Sequence, residues 1–449
     1  RMSVIVEGED NHRLFICKGA VEEILNLCTK IEYGGEIIPI TSLTHQEAEK
    51  LTRGLNSDGL RVIAVAYKPV PTDKDIYSAN DENNLILAGY VGFLDPPKAS
   101  AKEAIKLLEQ HGVNVKIITG DNEVITARIC KDVGLAGFGI LLGGDIETLS
   151  DKELADRAEQ TTIFARIDPM QKARIIQALK GKGHTVGFMG DGINDAAAMR
   201  ASDVGISVDT AVDIAKEAAD IILLKNDLHI LSSGVIEGRM VFGNIIKYIK
   251  MASSSNFGNM LSMLVASAFL PFLPMLPIHI LIQNLLYDIS QMSIPWDNMD
   301  KDFLLIPRKW DAGGITRFMF SIGPISSIFD IITFLILWFV FSANVPAMQS
   351  LFQSGWFIEG LISQVLIVHM IRTQKIPFIQ SRATIPVILM TAVIIIVGIV
   401  IPWSPIGRSV GLQGLPITYF PLLIATLLGY FVFVQIAKTL YIQKFKVWL

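Results

Sequence analysis

The residues from Met251 to Leu449 contain apolar stretches that approach or exceed the length of a membrane-spanning helix. A helix needs about 20 predominantly apolar residues to cross the hydrocarbon core of a bilayer. Six stretches of this kind are predicted, at 253–273, 276–294, 318–341, 352–371, 384–402 and 417–437. This part of the chain is therefore expected to form an α-helical transmembrane bundle of six helices.

Basic residues are concentrated in alternate connections between these stretches. They precede the first stretch, lie between the second and third and between the fourth and fifth, and follow the sixth: Lys247, Lys250, Arg308, Lys309, Arg317, Arg372, Lys375, Arg382, Lys438, Lys444 and Lys446. Lys and Arg accumulate in cytoplasmic loops of membrane proteins. The pattern predicts a multi-pass protein whose first half and C-terminal end lie on the cytoplasmic side.

Charge and cysteine content exclude two other classes of protein. The formal net charge of −4 is too small to indicate a nucleic-acid partner, and the sequence has no basic stripe with interleaved aromatic residues. Cys17, Cys28 and Cys130 have no CxxC or Cys/His spacing, so we expect reduced thiols and no zinc site.

Two polar pairs interrupt the first two predicted spans. Asn256 and Asn259 are three residues apart, and Asn284 and Asp288 are four apart, so each pair shares one helix face. Such residues either bond neighbouring helices or line an ion path. An acid in mid-span favours the ion path, and carboxylate and amide oxygens are ligands for hard cations. The two interpretations remain equally open for Glu359, whereas Asp330 and His369 are expected to be structural.

Between Leu85 and Leu224 short apolar strands alternate with helical stretches. This alternation predicts an α/β domain with a parallel sheet and crossover helices. Ligands of such sheets bind at the carboxyl ends of the strands. The polar residues that follow predicted strands, or start the next helix, are expected at this edge: Thr119, Asp121, Lys172, Asp191 and Asp195.

The stretch GFMGDGIND places two aspartates close together after a predicted strand. Gly190 and Gly192 permit a sharp turn beside Asp191, which brings Asp195 back toward it. Two converging carboxylates repel each other unless a cation lies between them, and oxygen ligands suit Mg²⁺. The Thr119 hydroxyl and the Lys172 ammonium would suit a phosphoryl group.

These motifs together resemble those of the P-type ATPases. TGDN (119–122), DPMQKARI (168–175) and MGDGIND (189–195) resemble their phosphorylation domain, which has a haloacid-dehalogenase-like fold. DPP (95–97) resembles the hinge into that domain, and KGA (18–20) and GLRVIAVA (59–66) resemble parts of the nucleotide-binding domain. The resemblance implies three domains: the C-terminal part of a nucleotide-binding domain at 1–92, a phosphorylation domain at 93–247 and a transmembrane domain at 248–449.

The resemblance also implies roles for individual residues. ATP would contact Lys18, Gly19, Arg61, Asp95, Thr119, Gly120 and Asp121, with Lys18 by the adenine and Asp95 near the ribose. Phosphoryl chemistry would use Thr119, Gly120, Asp121, Lys172, Asn194 and Asp195. A catalytic Mg²⁺ would lie on Asp191 and Asp195.

Within that family, IQNLLYDISQ, LFQSGWFIEGL and HMIRTQKIPFIQSRA resemble the bacterial magnesium-transporting members. This resemblance implies ATP-driven import of Mg²⁺ across the bacterial cytoplasmic (inner) membrane through an aspartyl-phosphate intermediate. ATP and Mg²⁺ would be the cofactors, and membrane lipid and the N-terminal part of the same pump the partners. The transported ion would contact Asn256, Asn259, Asn284, Asp288 and Glu359.

Two features depart from the family pattern. The phosphorylated aspartate of the family lies in DKTGT, and neither this sequence nor the TGE of the actuator domain occurs here. Ala197 also replaces the proline that usually follows NDA. We expect the chain to be the C-terminal portion of a pump and inactive alone. The alternatives are a pump for calcium or another cation, a membrane-tethered phosphatase, and a non-catalytic membrane scaffold.

Overall fold

The computed structural model describes residues 1–8, 12–72, 74, 76–94, 96–135 and 139–449. They form two compact units, Arg1–Ser233 and Gly234–Leu449. The first unit combines sheets and helices, and the second is helical among its described residues.

The first unit begins with a six-stranded sheet that packs against two helices. Its elements are β1 (Met2–Glu7), β2 (Arg13–Ala20), α1 (Val21–Leu27), β3 (Cys28–Tyr33), β4 (Glu36–Pro39), α2 (Ser42–Ser57), β5 (Leu60–Val70) and β6 (Leu85–Leu94). The strand order is β1-β2-β5-β6-β3-β4, and only the β3–β6 pair is parallel among these neighbours. Phe15 and Cys17 alternate with more exposed residues along β2, so one face of the sheet carries the core.

The rest of the first unit alternates strands and helices, as the sequence predicts. Its elements are α3 (Ala101–Gln110), β7 (Ile117–Ile118), α4 (Glu123–Asp132), β8 (Gly139–Leu142), α5 (Gly143–Thr148), α6 (Asp151–Gln160), β9 (Thr161–Ala165), α7 (Pro169–Gly181), β10 (Gly187–Met189), α8 (Ala196–Ala201), β11 (Val204–Val208), α9 (Asp213–Ala218) and β12 (Ile221–Leu223). All pairs are parallel, in the orders β7-β9-β8 and β10-β11-β12. The two groups share the core residues Ile118 and Val186. The short strand β8 was not predicted.

Side-chain caps fix where two of these helices begin. Asp168 precedes α7 and accepts hydrogen bonds from the backbone N–H groups of Met170, at 2.7 Å, and Gln171, at 2.8 Å. Pro169 occupies the first helical position, where its missing N–H costs nothing. Asn122 caps α4 through a bond from Val124 N at 2.7 Å. The local sequence therefore determines the start of both helices.

The second unit consists of helices around a central one. They are α10 (Leu228–Phe269), of which residues 234–269 belong to this unit, α11 (Pro277–Gln291), α12 (Lys301–Leu305), α13 (Ala312–Leu335), α14 (Gln349–Ile371), α15 (Ile385–Val400), α16 (Pro405–Ser409) and α17 (Tyr419–Phe445). Helix α14 is buried over nearly its whole length. Its aromatic and aliphatic side chains belong to the two large cores of this unit.

Four helical segments in the described part of the chain are long and apolar enough to cross a membrane: Ala312–Val340, Pro346–Ile371, Ile385–Trp403 and Tyr419–Phe445. The first two predicted spans, 253–273 and 276–294, do not reach this level. The end of α10 carries serines and asparagines, which lower its mean hydropathy. Helix α11 has 15 residues, which is shorter than a typical span.

Candidate functional site

Two of the predicted site residues form an ion pair in the first unit. Lys172 lies in the first turn of α7, and its Nζ is 2.7 Å from Oδ1 of Asp195. Both side chains are largely buried. The contact joins the segment after β9 to the turn after β10, so two motifs that are distant in sequence meet at one place.

The turn after β10 holds Asp195 in a defined position. Gly192 N donates to Asp195 Oδ2 at 3.2 Å, and Asp195 N donates to the carbonyl of Gly192 at 3.1 Å. A Cβ atom on Gly190 would lie 2.6 Å from Cβ of Asp195 and 2.7 Å from its Cγ. No side chain fits in that space, so the close approach of Asp195 requires glycine at position 190.

The loop after β7 is bonded to the end of β9. Thr119 N donates to Phe164 O at 2.9 Å, and Ile167 N donates to Thr119 O at 3.0 Å. The Thr119 hydroxyl accepts a bond from Asp121 N at 3.1 Å. Arg61, from β5, lies 3.2 Å from the Asp121 carboxylate in a partly exposed ion pair. The structure thus brings together two residues that the sequence assigns to nucleotide contact.

A second cation and acid lie beside this loop. Arg166 Nε donates to Glu123 Oε2 at 2.8 Å. Burial favours the neutral acid, but the glutamate's own backbone N–H and the Arg166 guanidinium outweigh this effect and lower the pKa of Glu123. Glu123 is therefore ionised at neutral pH.

The remaining predicted residues of this unit are more exposed. Lys18, Gly120, Asp191 and Asn194 are exposed, and Gly19 is half-buried. Asp95 lies outside the described residues. The backbone carbonyl of Asp191 accepts a bond from Val212 N at 3.2 Å, and the residue as a whole is exposed. Within the described ranges no group of three or more His, Cys, Asp or Glu residues could hold a metal ion.

The predicted ion ligands of the second unit differ in exposure. Asn256 and Asp288 are exposed, and Asn259 and Asn284 are half-buried. Glu359 lies on the buried helix α14, and its Oε2 has no hydrogen-bond partner among the described residues. The five predicted ligands therefore differ in exposure, and Glu359 is the most buried of them.

Asp330 and His369 have partners of their own. Asp330 accepts hydrogen bonds from the Ser262 hydroxyl and from Trp356 Nε1, the latter at 3.0 Å. His369 Nε2 lies 3.0 Å from Oγ1 of Thr391. These contacts connect α13, α10, α14 and α15, which is compatible with the structural role that the sequence favours for both.

Sequence reasoning missed a buried cluster of charges outside the predicted spans. Asp297 Oδ2 accepts from Lys247 Nζ at 2.9 Å and from Arg372 Nε at 2.7 Å. All three side chains are almost fully buried. Burial alone would raise the pKa of Asp297, but Arg372 and Lys247 outweigh it and the pKa is lowered. In the sequence, Asp297 is one of several acids between the second and third apolar stretches, and no spacing relates it to Lys247 or Arg372.

The comparisons with known proteins bear on the whole chain. Residues 1–100 match the family described as P-type ATPase, cytoplasmic domain N, and residues 272–440 match cation transporting ATPase, C-terminus. The magnesium-transporting ATPase, P-type 1, of Escherichia coli K12 is 55% identical over 445 residues, covering 99% of this chain and 50% of that protein. A protein of the same name from Salmonella typhimurium LT2 is 56% identical over 451 residues, covering 100% and 50%.

A more distant relative is named for a different ion. The calcium-transporting ATPase of Bacillus subtilis is 34% identical over 307 residues, covering 68% of this chain and 34% of that protein. The chain spans about half the length of these two magnesium-transporting relatives.

Proposed function

Since the chain belongs to the P-type cation-transporting ATPases, we propose that it acts within an ATP-driven pump that moves Mg²⁺ into the cell across the bacterial cytoplasmic membrane. The observation that carries the choice of ion is the 55% identity to a magnesium-transporting ATPase over 99% of the chain. That identity extends through the second unit, where a transported ion would bind. The match to a calcium-transporting ATPase covers less of the chain, at 34% identity.

The first unit would carry the phosphoryl chemistry on a haloacid-dehalogenase-like fold. The loops after β7 and β10 both follow parallel strands, and ligands of such sheets bind at the carboxyl ends of strands. Lys172 supplies a cation to a transferring phosphoryl group, and Thr119 and Gly120 supply a hydroxyl and a backbone N–H. Asp195 holds the Lys172 ammonium in place through the 2.7 Å contact. The sequence contains no DKTGT, so the phosphorylated aspartate would come from outside these residues.

The exposed carboxylate of Asp191 fits a partly hydrated Mg²⁺, because hard-oxygen donors and water are the ligands this ion prefers. Asp195 belongs to the same turn, although both of its oxygens already accept bonds from protein donors. When bound, Mg²⁺ would neutralise charge on the phosphoryl oxygens. We assign Asp191 as the direct ligand, with Asp195 and Asn194 in support.

Nucleotide binding would use the six-stranded sheet and the neighbouring loop. Lys18 and Gly19 lie at the end of β2, and Arg61 lies near the start of β5. Because Arg61 lies 3.2 Å from Asp121, its guanidinium would also contact a phosphate bound beside Asp121. Asp95 is proposed to contact the ribose on the basis of the sequence resemblance alone.

The second unit would form six spans. Four are the apolar segments described above, and the end of α10 and the whole of α11 would be the other two. The polar residues that lower the hydropathy of these two helices are the ones proposed to contact Mg²⁺: Asn256, Asn259, Asn284 and Asp288, with Glu359 from α14. Intramembrane acids are costly and are retained mainly for function. The basic residues in alternate loops support a cytoplasmic location for the first unit and the C-terminal end.

The test is ATP hydrolysis and ion uptake by the protein of full natural length, reconstituted in vesicles. The vesicles are oriented so that their lumen corresponds to the cytoplasm and contains MgATP at a fixed concentration. Free Mg²⁺ is expected to stimulate phosphate release and to accumulate in that lumen. Stimulation and uptake of Ca²⁺ alone would replace this proposal by the calcium alternative. Hydrolysis without movement of any divalent ion would contradict a pump.

Two variants test the roles proposed for Asp288 and Asp191. Asp288→Ala is expected to abolish Mg²⁺ stimulation and leave nucleotide binding intact, and Asp302→Ala, an acid on α12 outside the predicted spans, serves as its control. Asp191→Asn is expected to block phosphoryl transfer by weakening metal affinity. Normal turnover in either variant would remove that residue from its assigned role.

A further inference from the structure

A small cavity inside the second unit is lined by polar and apolar side chains from three helices and by Tyr430 of α17. Its volume is about 20 Å³. The polar lining consists of six hydroxyl or amide residues of α10, α13 and α14: Ser254, Ser255, Asn259, Ser326, Ser363 and Gln364. A polar cavity between helices that are otherwise apolar requires an explanation, because membrane interiors disfavour unpaired polar groups.

Two of these side chains are buried without a partner. Ser254 is 4% exposed and Gln364 is 5% exposed. The Ser254 hydroxyl and both the oxygen and the nitrogen of the Gln364 amide lack a hydrogen-bond partner in the described part of the chain. Native proteins pair nearly all buried polar groups with protein or with ordered water. Three orphaned atoms around one cavity therefore indicate a bound polar ligand.

Glycine residues beside the cavity allow the surrounding helices to pack closely. A Cβ on Gly258 would lie 2.0 Å from Oγ of Ser326, and a Cβ on Gly323 would lie 3.0 Å from the carbonyl of Ser254. Small residues let α10 and α13 approach closely here. A residue larger than glycine would not fit at position 258 or 323 without a shift of these helices.

The volume of the cavity and the residues that line it determine which ligand it can hold. A cavity of about 10–15 Å³ suffices for one water molecule, which needs two to four polar partners. Hydrated Mg²⁺ is far larger, and a bare divalent cation would need negatively charged ligands, whereas the lining contains no Asp or Glu. We propose that this cavity is a binding site for a single water molecule held by Ser254 and Gln364.

This inference extends the proposed function, on which it rests, because Asn259 both lines the cavity and is a proposed ligand of the transported ion. A water molecule held by Ser254 and Gln364 would also bond the Asn259 amide and restrict its side-chain rotation. This restriction would hold the amide beside the path of the cation. Ser254 and Gln364 are thus positioning residues for the ion path and do not touch the ion.

The experiment compares Gln364→Leu and Ser254→Ala in the purified protein of full natural length. Ser327→Ala is the matched control, because Ser327 is equally buried but donates to Gly258 O at 2.9 Å and does not line the cavity. Gln364→Leu is expected to lower Tm by about 2–4 °C, because the water loses its main partner. Both variants are expected to raise the half-saturating free Mg²⁺ for ATPase activity about tenfold, and Ser327→Ala is expected to leave it unchanged.

Each other result has a definite meaning. A higher Tm in Gln364→Leu would show that the cavity is dry, because an apolar side chain would then relieve two unpaired atoms, and it would overturn the water site. A lower Tm with unchanged Mg²⁺ dependence in both variants would overturn the positioning role. Absence of Mg²⁺ stimulation in the unmodified protein would contradict the proposed pump, while the sign of the Tm change would still decide the water site.

Discussion

The Lys172 ammonium lies 2.7 Å from Oδ1 of Asp195, across 23 residues of sequence. The two side chains are shielded from solvent, so their attraction is screened less than that of a surface pair. Asp195 is also fixed by Gly192 N, so the lysine is bound to a rigid partner. The pair therefore positions the lysine as well as stabilising the unit.

The first prediction concerns this pair. Lys172→Met and Asp195→Asn should each lower the ATPase rate of the full-length protein by at least tenfold, because each removes or misplaces the charge that the proposed function assigns to the phosphoryl group. The double variant should lose little more than the worse single variant, since coupled residues are not additive. Steady-state phosphate release measures both effects. Strictly multiplicative losses would indicate that the two residues act independently.

The second prediction concerns the glycine beside Asp195. Gly190→Ala should destabilise the protein by about 1–3 kcal/mol, because the new methyl group would overlap the Asp195 side chain at 2.6–2.7 Å. Denaturant unfolding gives the change in the free energy of unfolding. Gly144→Ala is the control, since a Cβ at that position meets no atom within 4 Å. Equal effects of the two substitutions would contradict the packing described for the turn.

The third prediction concerns the buried cluster of Asp297, Lys247 and Arg372. Asp297→Asn should cost about 3–5 kcal/mol, because two cations would remain buried without a counter-charge. Asp311→Asn is the control, because the Arg317–Asp311 pair at 3.1 Å is exposed and such pairs contribute about 0–1 kcal/mol. Unfolding in detergent would measure both values. A loss at Asp297 as small as that at Asp311 would show that the cluster is hydrated.

The same cluster predicts a dependence on pH. The folded pKa of Asp297 is lowered, so its ionised form stabilises the folded state. This contribution is complete above the unfolded pKa of about 4 and is lost as the pH falls through the lower folded pKa. Below about pH 4 the Tm of the wild-type protein should therefore fall more steeply than that of Asp297→Asn. Parallel curves would contradict the ionised state of Asp297.

Local features of the fold were predictable because neighbours in sequence determine them. Asp168, Pro169 and Gln171 specify the start of α7 without any distant contact. The parallel pairing followed from the alternation of strands and helices. Of the six spans expected from the apolar stretches, four are long and apolar enough in the described residues, and the other two, in which Asn, Ser and Asp interrupt the apolar sequence, are not.

Distant contacts were not predictable from one sequence. Asp297 pairs with residues 50 and 75 positions away, and neither apolar periodicity nor a motif relates them. The edge containing Lys172 and Asp195 could be predicted, but their direct contact depends on the turn at Gly190. The cavity beside Asn259 depends on the packing of four helices, which no local pattern specifies.

The last prediction concerns Trp448, whose ring is almost fully buried in the second unit. Its Nε1 donates to Ile371 O at 2.8 Å, its ring lies edge-on to Phe318 at 4.9 Å, and its carbonyl accepts a bond from Lys250. Trp448→Ala should cost about 3–5 kcal/mol through lost packing. Trp448→Phe should cost less, about 1–3 kcal/mol, mainly because the Ile371 carbonyl loses its donor. Thermal unfolding in detergent ranks the variants, with the exposed Trp296→Ala as control. If Trp448→Ala were as mild as Trp296→Ala, residues 446–449 would not be docked in solution as they are in this structure.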